Sequence, residues 1–128
     1  MKYASTIAGA LLGLLFIVFG LNFFLNFLPM PPGPPEGSPP ALFFGALFPT
    51  GYLAFVKGLE ILGGLLVAIP KTRNFGLLVL GPIIVNILAF HVFLTNRAGL
   101  LDPVLLLICA LAAFMLWSGR KAFANLLN

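Results

Sequence analysis

Two ionisable side chains, Lys57 and Glu60, stand one helical turn apart in the apolar segment VKGLEILGG. A lone charge at the centre of a bilayer-spanning helix costs on the order of 3 kcal/mol, so such groups face the protein interior and pair with each other. An ammonium group beside a carboxylate can hold or protonate the polar head of a ligand. The same two residues can also form a buried structural ion pair, and the sequence leaves both interpretations open.

Four further polar side chains interrupt apolar segments: Asn22, Asn26, Asn86 and His91. At about 1.5 Å per residue from the predicted helix ends, these residues and the charged pair all lie in the outer half of the bundle. Asn22 and Asn26 share one helix face because they are four residues apart. His91 lies about 140° around its helix from Asn86, so both reach one site only if that helix is distorted. Pro82 is a cause of distortion, although it precedes both residues.

The composition indicates a membrane protein. Of the 128 residues, 61% are hydrophobic and 8% are charged, whereas an ordinary soluble domain is about a quarter charged. The mean hydropathy is +1.13. The length suits one domain, residues 1–128. The net charge of +4 reflects scarce acids rather than a basic patch, so no nucleic-acid partner is expected.

Four segments are apolar enough to cross a bilayer, which takes about 20 helical residues. They are residues 4–28, 52–69, 75–94 and 104–117. The predicted fold class is therefore all-α, an integral membrane four-helix bundle. The first segment is predicted to be a retained helix, because its apolar run is much longer than the core of a signal peptide, about 7 to 15 residues.

The segment PMPPGPPEGSPP, residues 29–40, predicts a Pro-rich external loop between the first and second helices. Its prolines favour extended polyproline II structure, which would serve as a spacer or a lid, or as a ligand for a proline-binding domain. Residues 41–48 are apolar but too short to span, so they are expected at the membrane interface or dipping back toward the bundle. Asp102 and Pro103 predict the start of the fourth helix, as N-cap and first residue.

The distribution of loop cations predicts the orientation in the membrane. With four spans, Arg97 falls on one side, and the other side receives Lys2, Lys71, Arg73, Arg120 and Lys121. Cationic loops face the cytoplasm, so both termini are predicted to be cytoplasmic.

Several chemistries are excluded by what the chain lacks. It has one cysteine, Cys109, and one histidine, so disulfide exchange within the chain and a multi-histidine metal site are not expected. No catalytic residue and no metal ligand are predicted. Small residues predict close helix packing instead. These are Gly9 and Gly13 on the first helix, and Gly58, Gly63 and Gly64 on the second.

Three motifs carry a family resemblance: NFFLNFLP at residues 22–29, VKGLEILGG at 56–64 and GPIIVNILAFH at 81–91. Through them, and over nearly the whole chain, the sequence resembles the DoxX family of small four-helix bacterial membrane proteins. The resemblance implies the four-helix fold and the bacterial cytoplasmic (inner) membrane. The family takes its name from a subunit of a thiosulfate:quinone oxidoreductase, which implies an association with redox chemistry.

Our first hypothesis is a redox-associated accessory protein with an outer-half pocket for a lipophilic small molecule such as a quinone. The candidate ligand-binding residues are Lys57, Glu60, Asn22, Asn26, Asn86 and His91. The expected partners are the lipid bilayer and either a membrane redox partner or a second copy of the chain. Two alternatives stay open: a structural or partner-binding membrane subunit without ligand or catalysis, and a small-molecule transporter, for which no internal repeat is detected.

Overall fold

The computed structural model describes residues 2–29, 33–97 and 100–127, and this part of the chain contains helices and no strand. The predicted all-α class is therefore confirmed. The helices are α1 (Lys2–Leu25), α2 (Pro39–Leu47), α3 (Tyr52–Ala68), α4 (Arg73–Ala89), α5 (Pro103–Ser118) and α6 (Arg120–Ala124). Short 3-10 helices cover Pro70–Thr72 and Asn125–Leu127, and a π-helical turn, Phe90–Leu94, continues α4.

The four long helices share one apolar core. α1 packs against α3 and α5, α3 also packs against α4, and α4 contacts α5. The largest fully buried side chains come one from each of these helices: Leu12, Val67, Leu80 and Met115. Each of the four helices therefore depends on its neighbours to bury its apolar face.

Glycines allow the backbones of α1 and α3 to approach closely. A Cβ atom on Gly64 would lie 2.8 Å from the carbonyl oxygen of Gly13, closer than real Cβ contacts. A Cβ atom on Gly9 or on Gly63 would also collide with a neighbouring helix. The predicted close packing is confirmed at these positions. Gly58 differs, because a Cβ atom there would have no contact within 4 Å.

The end of α1 was predicted three residues too late. The helix ends at Leu25, and Asn26 follows with a φ angle of 53°, in the left-handed region. Asparagine adopts this conformation more readily than most side chains do, and a left-handed residue after the last turn ends a helix. The predicted start of the fourth helix is confirmed, because the Asp102 side chain accepts a hydrogen bond from the Val104 N–H.

The third long helix changes its hydrogen bonding after Pro82, the cause of distortion named from the sequence, and not at it. α4 continues through Pro82, and its α-helical hydrogen bonding gives way to the π-helical turn only at Phe90. This turn contains His91. The proline lies inside the helix without ending it, whereas the widened turn changes the direction of the side chains that follow.

The Pro-rich segment is shorter than predicted. α2 already begins at Pro39, because the first helical turn has no partner for its N–H groups and tolerates proline. Ser38 is its N-cap and accepts a hydrogen bond from the Ala41 N–H. Residues 30–32 of the predicted loop lie outside the described residues. α2 meets α3 at an angle of 84°.

Within the described residues, two helices are long and apolar enough to cross a membrane, Tyr3–Leu25 and Pro70–Leu94. The number rises to four if α2 with α3 and α5 with the C-terminal helix each count as one bent span. Exposed apolar side chains occur on all four long helices, among them Leu14, Leu62, Val85 and Leu106. An exposed apolar surface of this kind suits contact with lipid, so the chain is a membrane protein with two to four candidate spans.

Candidate functional site

Lys57 and Glu60 form an ion pair within a single turn of α3. The Lys57 Nζ lies 3.5 Å from the Glu60 Oε1. The Glu60 side chain is 7% exposed and that of Lys57 is 25% exposed. The carboxylate is thus enclosed by protein, whereas the ammonium group keeps access to the surface.

The pair lies where α3 meets α1 and α4. Gly64 faces α1 and Gly63 faces α4, and Glu60 lies between them on the helix circumference, about 40° and 60° away. The Lys57 carbonyl oxygen would lie 3.3 Å from a Cβ atom on Gly20 of α1. Glu60 therefore lies on the inward side of α3, and Lys57 lies closer to α1.

Asn22 and Asn26 form the C-terminal cap of α1. The Asn26 N–H donates to the Asn22 carbonyl oxygen at 2.8 Å, and the Asn22 side-chain Oδ1 accepts from the Leu28 N–H at 2.7 Å. Asn22 is buried and lies about 160° around α1 from Gly20, the position that faces Lys57. Asn22 and Asn26 were predicted to share one helix face. In the structure their hydrogen bonds end α1 and order the residues that follow it.

Asn86 and His91 hydrogen-bond to carbonyl groups of their own helix. The exposed Asn86 donates from Nδ2 to the Pro82 carbonyl oxygen at 2.8 Å. The His91 Nδ1 lies 2.9 Å from the Ile87 carbonyl oxygen, and its ring packs edge-on against Phe90. Both side chains satisfy backbone groups near the end of α4, as polar side chains in membrane helices commonly do.

A basic groove of about 710 Å³ lies at the opposite end of the long helices. It is lined mainly by Ser5, Thr6, Arg73, Asn74, Trp117 and Arg120. The loop cations in the sequence indicated orientation, but they did not indicate a site, because the groove combines residues from the start of α1, the start of α4 and the end of α5. Only the packing of these helices brings Arg73 Nη2 within 3.1 Å of Thr6 Oγ1.

A second cavity, of about 680 Å³, lies between the Pro-rich segment and the π-helical turn. It is lined mainly by Pro34, Pro35, Ser38, Phe44, Phe90 and Phe93. The rings of Phe44 and Phe90 are 5.3 Å apart, so α2 packs directly on the end of α4. The described part of the Pro-rich segment therefore lies beside the end of α4, and its role as a spacer, a lid or a ligand stays a prediction.

The structure brings Lys57 and Glu60 into contact, and it holds the other four predicted residues at helix ends and turns. Neither cavity, as the described residues define it, is lined by Lys57 or Glu60. Comparison with protein-family models, with curated proteins and with solved structures gives no match. The ion pair is therefore the feature of the described residues that points most directly to a function, and a common binding role for all six residues stays a prediction.

Proposed function

We propose that the chain is a DoxX-like integral membrane four-helix protein of the bacterial inner membrane, with both termini cytoplasmic. In this proposal the Lys57–Glu60 pair binds the polar head of a lipophilic small molecule such as a quinone. The observation that carries it is an ion pair formed within one turn of α3, with a buried carboxylate and a partly exposed ammonium group.

The position of the pair favours a ligand over a structural lock. An ion pair that locks a helical bundle joins two helices, whereas both partners here belong to α3. A pair within one helix does not hold that helix to its neighbours. Charged groups inside a membrane are costly, and they mark ligand and ion pathways more often than they stabilise the fold.

The two side chains are complementary to the two states of a quinone head. The Lys57 ammonium group is a donor without acceptor capacity, and it would donate to a quinone carbonyl oxygen. The Glu60 carboxylate is an acceptor, and it would accept from the hydroxyl group of the reduced quinol. The apolar tail would lie along the exposed apolar faces of the helices, where lipid otherwise packs. This role requires binding and no catalytic step.

Extraction of the purified protein tests this proposal. Lipophilic molecules bound to the wild type are extracted with organic solvent and identified by mass spectrometry. The proposal expects a quinone-like molecule in a fixed ratio to protein, and loss of that molecule in Glu60→Gln. Glu36→Gln is the matched control, because it makes the same change at an exposed position outside the four long helices. Equal retention by both variants and the wild type would contradict the assignment to Glu60.

The structural or partner-binding subunit is the second candidate. The local hydrogen bonds of Asn22, Asn86 and His91 favour it, since each satisfies the backbone of its own segment. If this candidate holds, the extraction yields lipids in the proportions of the membrane, with no molecule enriched in the wild type over Glu60→Gln.

A further inference from the structure

Among the described residues, no carboxylate lines the basic groove at the ends of α1, α4 and α5. The chain has three acidic side chains, Glu36, Glu60 and Asp102. Glu36 precedes α2 and Asp102 caps the start of α5, so both lie at the opposite end of the long helices. Glu60 is paired with Lys57 inside α3. The counter-charge for the groove must therefore come from outside these side chains.

The Arg73 side chain lines this groove, and not all of its N–H donors have an acceptor. A guanidinium group carries five N–H donors and no acceptor. Its Nη2 donates to the Thr6 hydroxyl at 3.1 Å. Its Nε is the one buried side-chain nitrogen or oxygen of the described residues that has no hydrogen-bond partner. Gly9 makes room for it, because a Cβ atom there would lie 3.2 Å from the Nε.

Arg120 faces the same groove in a fixed position. Its Nη1 donates to the Trp117 carbonyl oxygen at 2.8 Å, and its guanidinium carbon lies 4.3 Å from the centroid of the Trp117 ring. The stacked ring and the hydrogen bond hold the charge in place before any ligand arrives. Pre-organised cations lose little conformational entropy on binding an anion.

The remaining wall of the groove supplies hydroxyl and amide groups. Ser5 donates to Ser118 across the α1–α5 contact at 2.9 Å. Asn74 follows Arg73 in the first turn of α4, and its Oδ1 would lie 2.8 Å from a Cβ atom on Gly119. Two guanidinium groups, hydroxyl groups and the start of a helix together match the oxygens of a phosphate group.

We propose that this groove binds a phosphate group, carried by the headgroup of an anionic lipid or by a small soluble phosphate ester. Its position suits a lipid, because Trp117 and the cations beyond it match the composition of a membrane–water interface. Basic pockets between the cytoplasmic ends of membrane helices are suited to anionic lipid headgroups. The inference takes from the proposed function the insertion in the membrane and its orientation, and it does not depend on the quinone.

Native mass spectrometry tests this inference. The intact chain is delipidated in detergent and titrated with phosphatidylglycerol, with phosphatidylcholine as the zwitterionic lipid and glycerol 1-phosphate as the soluble ester. The variants are Arg73→Gln and Arg120→Gln. Arg97→Gln is the control, because it removes one cation from the opposite end of the helices. Arg120 is exposed, so this variant remains informative if Arg73→Gln fails to fold.

The inference expects phosphatidylglycerol to bind in preference to phosphatidylcholine, with each groove variant weakening binding about fivefold and Arg97→Gln leaving it unchanged. Binding of glycerol 1-phosphate with the same loss in the groove variants assigns a soluble ester instead of a lipid. Equal binding of the anionic and zwitterionic lipids with no binding of the soluble ester, or equal losses in Arg97→Gln and the groove variants, would overturn the inference. The quinone extraction is an independent measurement, so a negative result in the lipid titration would leave the proposed function intact.

Discussion

Lys57 and Glu60 place an ammonium group and a carboxylate 3.5 Å apart within one turn of α3, on the side of the helix that faces α1 and α4. The pair is asymmetric, because the glutamate side chain is almost fully enclosed and the lysine side chain is not. Loss of the lysine would therefore leave an enclosed charge without a partner, whereas loss of the glutamate would leave a partly exposed one.

Removing the lysine alone should destabilise the protein more than removing both charges. Lys57→Met leaves the enclosed Glu60 without its partner, which costs about 3 kcal/mol for a buried pair. The double variant Lys57→Met/Glu60→Leu leaves no uncompensated charge, and we expect it to recover most of that loss. The measurement is the free energy of unfolding in mixed detergent micelles titrated with sodium dodecyl sulfate. A double variant no more stable than Lys57→Met would show that the two charges are not buried as a unit.

The crossing of α1 and α3 should be intolerant of side chains. Gly64→Ala places a methyl group against the Gly13 carbonyl oxygen, and we expect a loss of about 1 to 3 kcal/mol from overpacking. Gly58→Ala is the control on the same helix, since nothing lies near its Cβ position. It should be neutral or stabilising by up to about 1 kcal/mol, because alanine is the better helix former. Similar effects of the two substitutions in the same unfolding assay would rule out the crossing as described.

Asn26 should be replaceable by glycine and not by a branched residue. Its φ angle of 53° suits glycine, so Asn26→Gly should keep the stability of the wild type. Asn26→Val should lose about 1 to 2 kcal/mol, because a left-handed conformation is strained for side chains that branch at Cβ. Thermal unfolding of the purified variants measures both. If Asn26→Gly keeps its stability and loses a bound small molecule, the cap is also a ligand contact and a purely structural role for Asn26 is wrong.

The orientation can be tested with single cysteines in a Cys109→Ala background, since Cys109 is the one cysteine of the sequence. We expect Glu36→Cys to react with a membrane-impermeant maleimide in intact cells, because the Pro-rich segment is predicted to be external. Lys71→Cys, at the opposite end of the long helices, should react only after lysis. Both positions are exposed, so a difference in labelling reports sidedness rather than burial. The reverse pattern would invert the orientation.

Composition and the length of the apolar segments predicted most of the helices. The four apolar segments correspond to the four long helices, and Asp102 marks the start of α5 as predicted from its side chain. The end of α1 was misplaced because apolar residues continue past Asn26, so hydropathy gives no sign that the backbone turns there. The π-helical turn around His91 was not foreseen either, because a single π-helical turn leaves no distinct pattern of apolar residues in the sequence.

The candidate site was predictable in part. The spacing of Lys57 and Glu60 predicted their contact, since residues three apart on a helix are neighbours. Depth in the membrane suggested that Asn22 and Asn86 would join them, but depth does not fix the direction of a side chain. In the structure Asn22 accepts from the Leu28 N–H and Asn86 donates to the Pro82 carbonyl oxygen, and their binding role stays a prediction. The contact between Thr6 and Arg73 joins residues 67 positions apart, so it forms only when the fold brings the start of α1 close to the start of α4.

The most direct test of the ligand-binding role of the ion pair is a quinone titration. Wild type and the Lys57→Met/Glu60→Leu variant are reconstituted in lipid nanodiscs and titrated with a short-chain quinone, and binding is followed by the change in quinone absorbance. We expect saturable binding to the wild type and at least about tenfold weaker binding to the double variant, the loss that corresponds to about 1.4 kcal/mol. Equal affinities, with the double variant folded as the first prediction requires, would contradict the assignment of the pair as a ligand anchor.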